Sequence, residues 1–163
     1  MTTWADDAAR KAIDDANAAQ AGCEAVRATA ERLAGRVRAD GRAYFEDVSA
    51  EFRAAAATFN GRIGRAVIDV SAPASGPIVA AARIVEGAGF ASVLPCLSTE
   101  DRAPVPGAIV TVRQHGRENR IPFDFMLAGE ALRLRWAGEA LAPDAFARHA
   151  LAPWLASINI GGR

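Results

Sequence analysis

The feature that most constrains this chain is an apolar face that repeats through its first sixty residues. Apolar residues follow one another at steps of three or four, and Val26, Val37, Val48 and Phe59 stand eleven apart. Eleven residues in three turns is about 3.67 residues per turn, which keeps the face on one side of a nearly straight helix. The spacing is not a strict heptad. We therefore predict one long amphipathic helix that is only coiled-coil-like in its pattern.

Local signals mark both ends of this helix. Thr3 is suited to cap it because Asp6 stands at the third helical position, and Asn60-Gly61 is a typical stop signal. The weakest point is Asp40-Gly41, where a turn would fold the run into a helical hairpin. Gly41 falls on the apolar face, and the face stays in phase across it. We therefore favour one continuous or gently kinked helix over the hairpin.

The sizes of the residues on this face divide the helix into two parts. Between Val26 and Phe59 the face is bulky, and each large residue contributes roughly 1.5–3 kcal/mol when it is buried. We expect this part to share a core with the rest of the chain. Nearer the N-terminus the face is mostly small, which suits a neighbouring helix such as that of a second copy. The predicted oligomer interface consists of Trp4, Ala8, Ala12, Ala19 and Cys23.

Charge and composition disfavour several partners. The 19 basic and 19 acidic residues cancel, whereas nucleic-acid-binding proteins typically carry a basic excess. No run approaches the ~18 consecutive apolar residues of a membrane-spanning helix, and the acidic N-terminus does not resemble a secretory signal. Because Cys23 and Cys96 are the only two cysteines, we expect no disulfide framework. We predict a bacterial-type soluble protein in the cytoplasm, with no nucleic-acid and no membrane partner.

After residue 63 the pattern becomes alternating, as expected for an antiparallel sheet with one wet face. The stretch 78–86 is ambiguous, because its alanines slightly favour a helix whereas hairpin pairing with residues 90–94 is also open. Pro143 begins a closing helix that Pro153 is expected to break or kink. Further strands are predicted at 65–71, 108–114, 121–127 and 132–136.

These elements predict an α+β fold. A long N-terminal helix packs on an antiparallel sheet of four to six strands, and a short C-terminal helix closes the core. Residues 1–63 form the long helix, or a helical hairpin, and include the oligomerisation segment. Residues 64–163 form the sheet and the C-terminal helix, and they share one core with residues 26–59.

Candidate catalytic and cofactor-binding residues are few. Cys96 and His115 would form a thiolate nucleophile with its base if they met in space, but a buried structural cysteine is the favoured interpretation. The run 87–92 is a partial dinucleotide fingerprint, yet Pro95 would interrupt the helix that such a motif needs. A glycine-rich turn is favoured there. Neither histidine belongs to a metal-ligand pattern, so we expect no metal and no cofactor.

Two binding sites can also be outlined. A small-molecule pocket between the sheet and the helices would be lined by six aromatic residues. An anion site would gather three arginines on the wet face of the sheet, although Asp124 on the same face favours a self-neutralised surface. The pocket residues are Tyr44, Phe52, Phe59, Phe123, Phe125 and Trp136, and the anion-site residues are Arg113, Arg133 and Arg135.

The leading functional hypothesis is a non-enzymatic interaction or structural protein that self-associates through its N-terminal helix into a homo-oligomer. Sixty residues of helix span about 90 Å, which is longer than one small sheet can cover. The first alternative is a small-molecule-binding protein with a pocket between sheet and helices. The second is an enzyme that uses Cys96 and His115.

Overall fold

The computed structural model describes residues 3–71, 78–100 and 105–159. The α+β fold predicted from the sequence is confirmed, with seven strands in these ranges rather than four to six. The elements in chain order are α1 (Trp4–Ile63), β1 (Ile68–Ser71), β2 (Ala80–Ile84), β3 (Phe90–Cys96), β4 (Gly107–Gln114), β5 (Arg117–Ala128), β6 (Ala131–Trp136), β7 (Glu139–Leu141) and α2 (Pro143–Ala156).

Helix α1 is a single helix without a hairpin, and it ends three residues after the predicted stop. Gly64 is its C-cap, with a left-handed φ of 78° that suits glycine. Asn60 therefore does not end the helix, which reaches residue 63 as in the predicted division of the chain, and its side chain binds the backbone of β1. Asn60 Oδ1 accepts hydrogen bonds from Val67 N at 2.8 Å and Ile68 N at 2.9 Å, and Nδ2 donates to the Ile68 carbonyl at 2.7 Å.

The seven strands form one antiparallel sheet in which spatial order equals chain order. Three of the connections are two-residue turns, the tightest that join antiparallel strands. His115-Gly116 and Ala137-Gly138 have positive φ at both positions, as a type I′ turn requires, and the third turn, Gly129-Glu130, has its positive φ at the glycine. Local turn chemistry therefore fixes the register of the C-terminal part of the sheet.

The slight preference for a helix at 78–86 is wrong, because residues 80–84 are strand β2. Ala80 pairs with Val93 of β3, and Arg83 pairs with Phe90. Alanine has a high intrinsic helix propensity, but pairing on both sides of β2 overrides it. Ala80 and Ala82 are fully buried under α1. Small residues are used here because the helix approaches this part of the sheet closely.

One face of the sheet forms the core with both helices, and the other face is polar or partly exposed. Helix α1 crosses the sheet from the β5–β6 turn to β1, and α2 packs beside it. Of the two predicted effects of Pro153, a break or a kink, the break does not occur, because the helix continues to Ala156. The core side chains of α1 are Val37, Tyr44, Phe45, Val48, Phe52 and Ala56.

Candidate functional site

The N-terminal half of α1 projects away from the rest of the chain. Every residue from Thr3 to Arg32 is exposed. We call residues 4–32 the projecting segment, and the remainder of the described chain the body. At about 1.5 Å per residue the projecting segment is about 43 Å long. The projecting segment ends where the guanidinium groups of Arg32 and Arg36 contact Glu130 in the β5–β6 turn.

Three valines on one face of α1 show where the environment changes. Val26 is 71% exposed, whereas Val37 is 1% exposed and Val48 is fully buried. They stand eleven residues apart, so they lie on almost the same side of the helix. The predicted start of the core segment at Val26 is therefore wrong, since packing begins at Leu33. The apolar face continues beyond the body with nothing from the described chain covering it.

All five residues of the predicted oligomer interface lie in the projecting segment. At about 100° per residue they fall on the side of α1 that the body covers farther along. Trp4 is 85% exposed, which is high for the largest apolar side chain of the set. The structure therefore places Trp4, Ala8, Ala12, Ala19 and Cys23 on one accessible face.

The projecting segment has its own local support as a helix. The Thr3 backbone N–H and hydroxyl both donate to the Asp6 carboxylate, and these bonds lower the pKa of Asp6. Ion pairs four residues apart join Lys11 to Asp15 at 2.7 Å and Arg27 to Glu31 at 2.9 Å. Each such pair is worth only a few tenths of a kcal/mol. They favour the helix but do not cover its apolar face.

The predicted pocket residues are for the most part a packed core. The rings of Tyr44 and Phe125 meet edge to face at 5.5 Å, and the Tyr44 hydroxyl donates to the Leu141 carbonyl at 2.8 Å. Burial raises the pKa of Tyr44. Phe52 and Phe123 are buried in the same cluster. These four side chains therefore fill space rather than line an opening.

The other two predicted pocket residues are partly accessible. Phe59 lines an apolar groove of ≈ 560 Å³ between the C-terminal half of α1 and α2. Trp136 is half-buried, and the ring of His149 lies over it with 5.1 Å between centroids. His149 is exposed, and nothing in the sequence predicts its contact with Trp136. A contact between residues so far apart in sequence leaves no local signal.

Cys96 and His115 are at opposite ends of the sheet. Cys96 pairs with Gly107 at the start of β4, whereas His115 follows Gln114 at the end of β4. Eight residues of extended strand place them roughly 25 Å apart. A thiolate and its base must be within hydrogen-bond reach. The structure therefore does not bring together the pair that the enzymatic alternative requires.

The three arginines of the predicted anion site are not gathered at one point. Arg113 bonds Glu118 at 2.6 Å, and Arg135 bonds Asp124 at 3.3 Å. Arg133 donates to the carbonyl of its own neighbour, Leu132. The register of β4, β5 and β6 puts Arg113 roughly 20 Å along the strands from Arg135. Two of the three arginines are therefore paired with carboxylates, and one of these carboxylates is Asp124.

The remaining sequence motifs are structural. Gly87-Ala88-Gly89 belongs to the β2–β3 turn and is followed by a strand, whereas a phosphate-binding loop leads into a helix N-terminus. This turn lines a cleft of ≈ 450 Å³ with Arg65 and His115. Within the described ranges, no group of three or more His, Cys, Asp or Glu side chains is placed to hold a metal ion. Nor does the described chain contain a helix long and apolar enough to cross a membrane.

No match is found when the chain is compared with known protein families, with curated proteins or with solved structures. The candidate site therefore rests on the geometry of this chain. Its most distinctive feature is the uncovered apolar face of the projecting segment.

Proposed function

We propose that this protein is a non-enzymatic, self-associating interaction or structural protein, and that the projecting segment is its interface. The observation that carries the proposal is the contrast between Val26, which is 71% exposed, and Val37, which is 1% exposed on the same face. The apolar face that forms part of the core from Leu33 onward is accessible in the projecting segment. A second copy of the chain supplies a matching face without any further component.

Burial gives this association its driving force. Trp4 and Val26 are the largest exposed side chains on the face, and covering each contributes on the order of 1.5–3 kcal/mol. The alanines add little area, but they let a second helix approach closely. An exposed interface of this kind leaves the body free, so the body is not required to change shape on association.

Sedimentation velocity and light scattering of the full chain, over concentrations from below to well above micromolar, test the proposal. We expect the mean mass to rise with concentration from one chain to at least two. A single-chain mass throughout the micromolar range would contradict the proposal.

A matched pair of variants locates the interface. Ala19→Lys places a charge on the apolar face, beside Asp15 one turn earlier, and should weaken self-association at least tenfold. Ala21→Lys is the control, because it lies about 200° around the helix and also gains an acidic neighbour, Glu24. Both alanines are exposed. Equal loss of association in the two variants would place the interface elsewhere.

A second candidate function, the binding of a small apolar molecule, is favoured by the groove between α1 and α2. Its volume of ≈ 560 Å³ falls within the range of known ligand sites. Ala55→Leu would fill the groove without adding charge, and Ala57→Leu is the control because Ala57 is exposed and does not line it. We expect an apolar fluorescent dye to bind the native chain and Ala57→Leu but not Ala55→Leu. Equal binding to all three would reject this candidate.

A further inference from the structure

We infer that the projecting segment opens from helix to coil while the body stays folded, and that Gly22 is the point at which this opening is easiest. The segment is then a separate conformational unit whose helical order sets how strongly its apolar face binds a partner. The opening itself is a property of the single chain. Its effect on binding rests on the self-association proposed above and adds a means of regulating it.

The side-chain hydrogen bonds of the projecting segment are local. Within the described chain, every such bond made by residues 3–31 reaches a residue three or four positions away. The first bond to another element is that of Arg32 with the β5–β6 turn. The local bonds stabilise the helix, but they do not join it to the body.

Opening of the segment disrupts no packed core. Every residue from Thr3 to Arg32 is exposed, whereas Val37 and Val48 farther along the same helix are buried. Most of the stability of helices in proteins comes from the packing of an apolar face, and intrinsic propensity adds little. The projecting segment has only propensity and local pairs, so it should open far more readily than the body.

The body fixes one end of the segment and so determines the direction of opening. Starting a helix is the costly step, and the packed turns from Leu33 onward already provide it. Each further residue is then added with an equilibrium constant of only about 1–1.6, even for good helix formers near 0 °C. Opening should therefore begin at the N-terminal end and proceed toward the body.

Gly22 divides the projecting segment. Glycine is about fivefold less favourable than alanine in the interior of a helix. In the described chain a Cβ at this position would meet nothing within 4 Å, so no close contact requires a glycine. Residues 4–21, by contrast, include eight alanines, the best helix former. Residues 4–21 should therefore leave the helix at Gly22 more readily than at the alanines around it.

Helical order controls binding because the apolar face exists only in the helix. Trp4, Ala19 and Val26 fall on one side of the chain only at helical spacing. A partner that covers this face binds the helical form alone, so its apparent affinity is reduced by the fraction of chains that are open. A substitution that favours the coil should therefore weaken association even when it lies on the opposite side of the helix.

Amide hydrogen exchange of the full chain, at a concentration where it is monomeric, tests the separate opening. We expect the amides of residues 5–31 to be at least about a hundredfold less protected than that of Val48. Their exchange should be nearly independent of low urea concentrations, because opening an exposed segment uncovers little new surface. Protection equal to that of Val48, with the urea dependence of global unfolding, would overturn the inference.

Two glycines of α1 provide a matched comparison. A methyl group at Gly22 or at Gly35 would have open space around it, but Gly35 lies in the body. Gly22→Ala should slow the exchange of residues 5–21 by up to about fivefold, with the largest effect next to the substitution. Gly35→Ala should leave their exchange unchanged. An equal effect of both substitutions would show that the segment and the body open together.

Ala21→Gly tests the effect on association without altering the apolar face. Ala21 is exposed and lies about 200° around the helix from Ala19. In sedimentation velocity we expect this substitution to raise the dissociation constant about twofold to tenfold. Ala57→Gly is the control, because Ala57 is an exposed residue of α1 within the body. It should leave the dissociation constant unchanged.

The two measurements separate this inference from the proposed function. A chain that sediments as a monomer at all concentrations would overturn self-association and its regulation, while the exchange rates would still decide whether the segment opens alone. Unchanged association of Ala21→Gly, in a protein that forms oligomers, would overturn the regulation because the segment would already be fully helical before it binds.

Discussion

The two halves of α1 carry one apolar pattern but have different surroundings. In the C-terminal half, Val37 and Val48 lie against a sheet and a second helix, whereas Val26 in the N-terminal half faces solvent. The period of the pattern is the same in both halves. An amphipathic period therefore establishes that a helix has an apolar side, but it does not establish what covers that side.

The width of the sheet and the length of α1 explain why the body covers α1 only from Leu33 onward. Seven strands spaced about 4.8 Å apart make a sheet about 30 Å wide, whereas α1 is about 90 Å long. The helix crosses the sheet from the β5–β6 turn to β1, so the sheet and its loops can cover only the part from Leu33 onward. The first half extends beyond the sheet's edge.

The largest expected contrast comes from one aromatic residue in each half. Phe52→Ala should lower the free energy of unfolding by about 3–5 kcal/mol, because it removes a fully buried side chain. Trp4→Ala should change it by no more than about 0.5 kcal/mol at concentrations where the chain is monomeric. Urea unfolding followed by circular dichroism measures both. Equal destabilisation would mean that the projecting segment packs on its own body.

A second contrast compares the polar residues at the two ends of α1. Asn60→Ala should cost about 2–3 kcal/mol of global stability, because it leaves the N–H groups of Val67 and Ile68 and the Ile68 carbonyl without their partner. Thr3→Ala removes an exposed cap worth about 1 kcal/mol to the helix. We expect its effect to be local fraying, visible by hydrogen exchange of the first turn, with the unfolding midpoint unchanged. A shift in the unfolding midpoint would show that the N-terminus is energetically coupled to the body.

Glycines in the two halves should respond differently to alanine. Gly22→Ala should add about 1 kcal/mol of local helix stability, since nothing lies near the position of the new methyl group. In Gly41→Ala the methyl group would approach Leu97 Cδ2 to 2.7 Å, so Leu97 must shift and the gain should be smaller or reversed. Amide hydrogen exchange measures the first and urea unfolding the second. An equal gain in both would indicate that Leu97 is loosely packed.

The last comparison uses titration, and its effect at neutral pH is the smallest. Asp6 in the projecting segment should respond to acid, whereas Tyr44 in the body should respond to alkali. The pKa of Asp6 is lowered by its bonds from Thr3, so its support of the first turn is complete above about pH 4 and is lost as the pH falls through the folded pKa. Burial raises the pKa of Tyr44, so the neutral phenol's contribution is complete below about pH 10 and is lost as the pH rises above that value.

Ultraviolet absorbance gives a clean measurement of the alkaline side, because Tyr44 is the only tyrosine in the chain. We expect no phenolate signal from the folded protein near pH 10 and normal titration in concentrated urea. Amide exchange of the first helical turn measures the acid side. Phenolate at the ordinary pKa in the folded protein would mean that the core around Tyr44 admits water.

The sequence determined the features that depend on local chemistry. The continuous helix follows from an unbroken period and from the Thr3 cap, and the alternation of β4, β5 and β6 correctly separated the core face from the wet face. The same alternation placed Asp124 beside an arginine. These predictions succeed because neighbours in sequence alone decide them.

Only the tertiary structure decided which residues and strands contact one another. Residues 80–84 became a strand because β1 and β3 pair with them, despite their alanines, and Asn60 binds β1 rather than ending its helix. The register of β3 and β4 placed Cys96 and His115 at opposite ends of the sheet. The start of the core at Leu33 depends on the width of the sheet. Such pairings are long-range, so no local pattern encodes them.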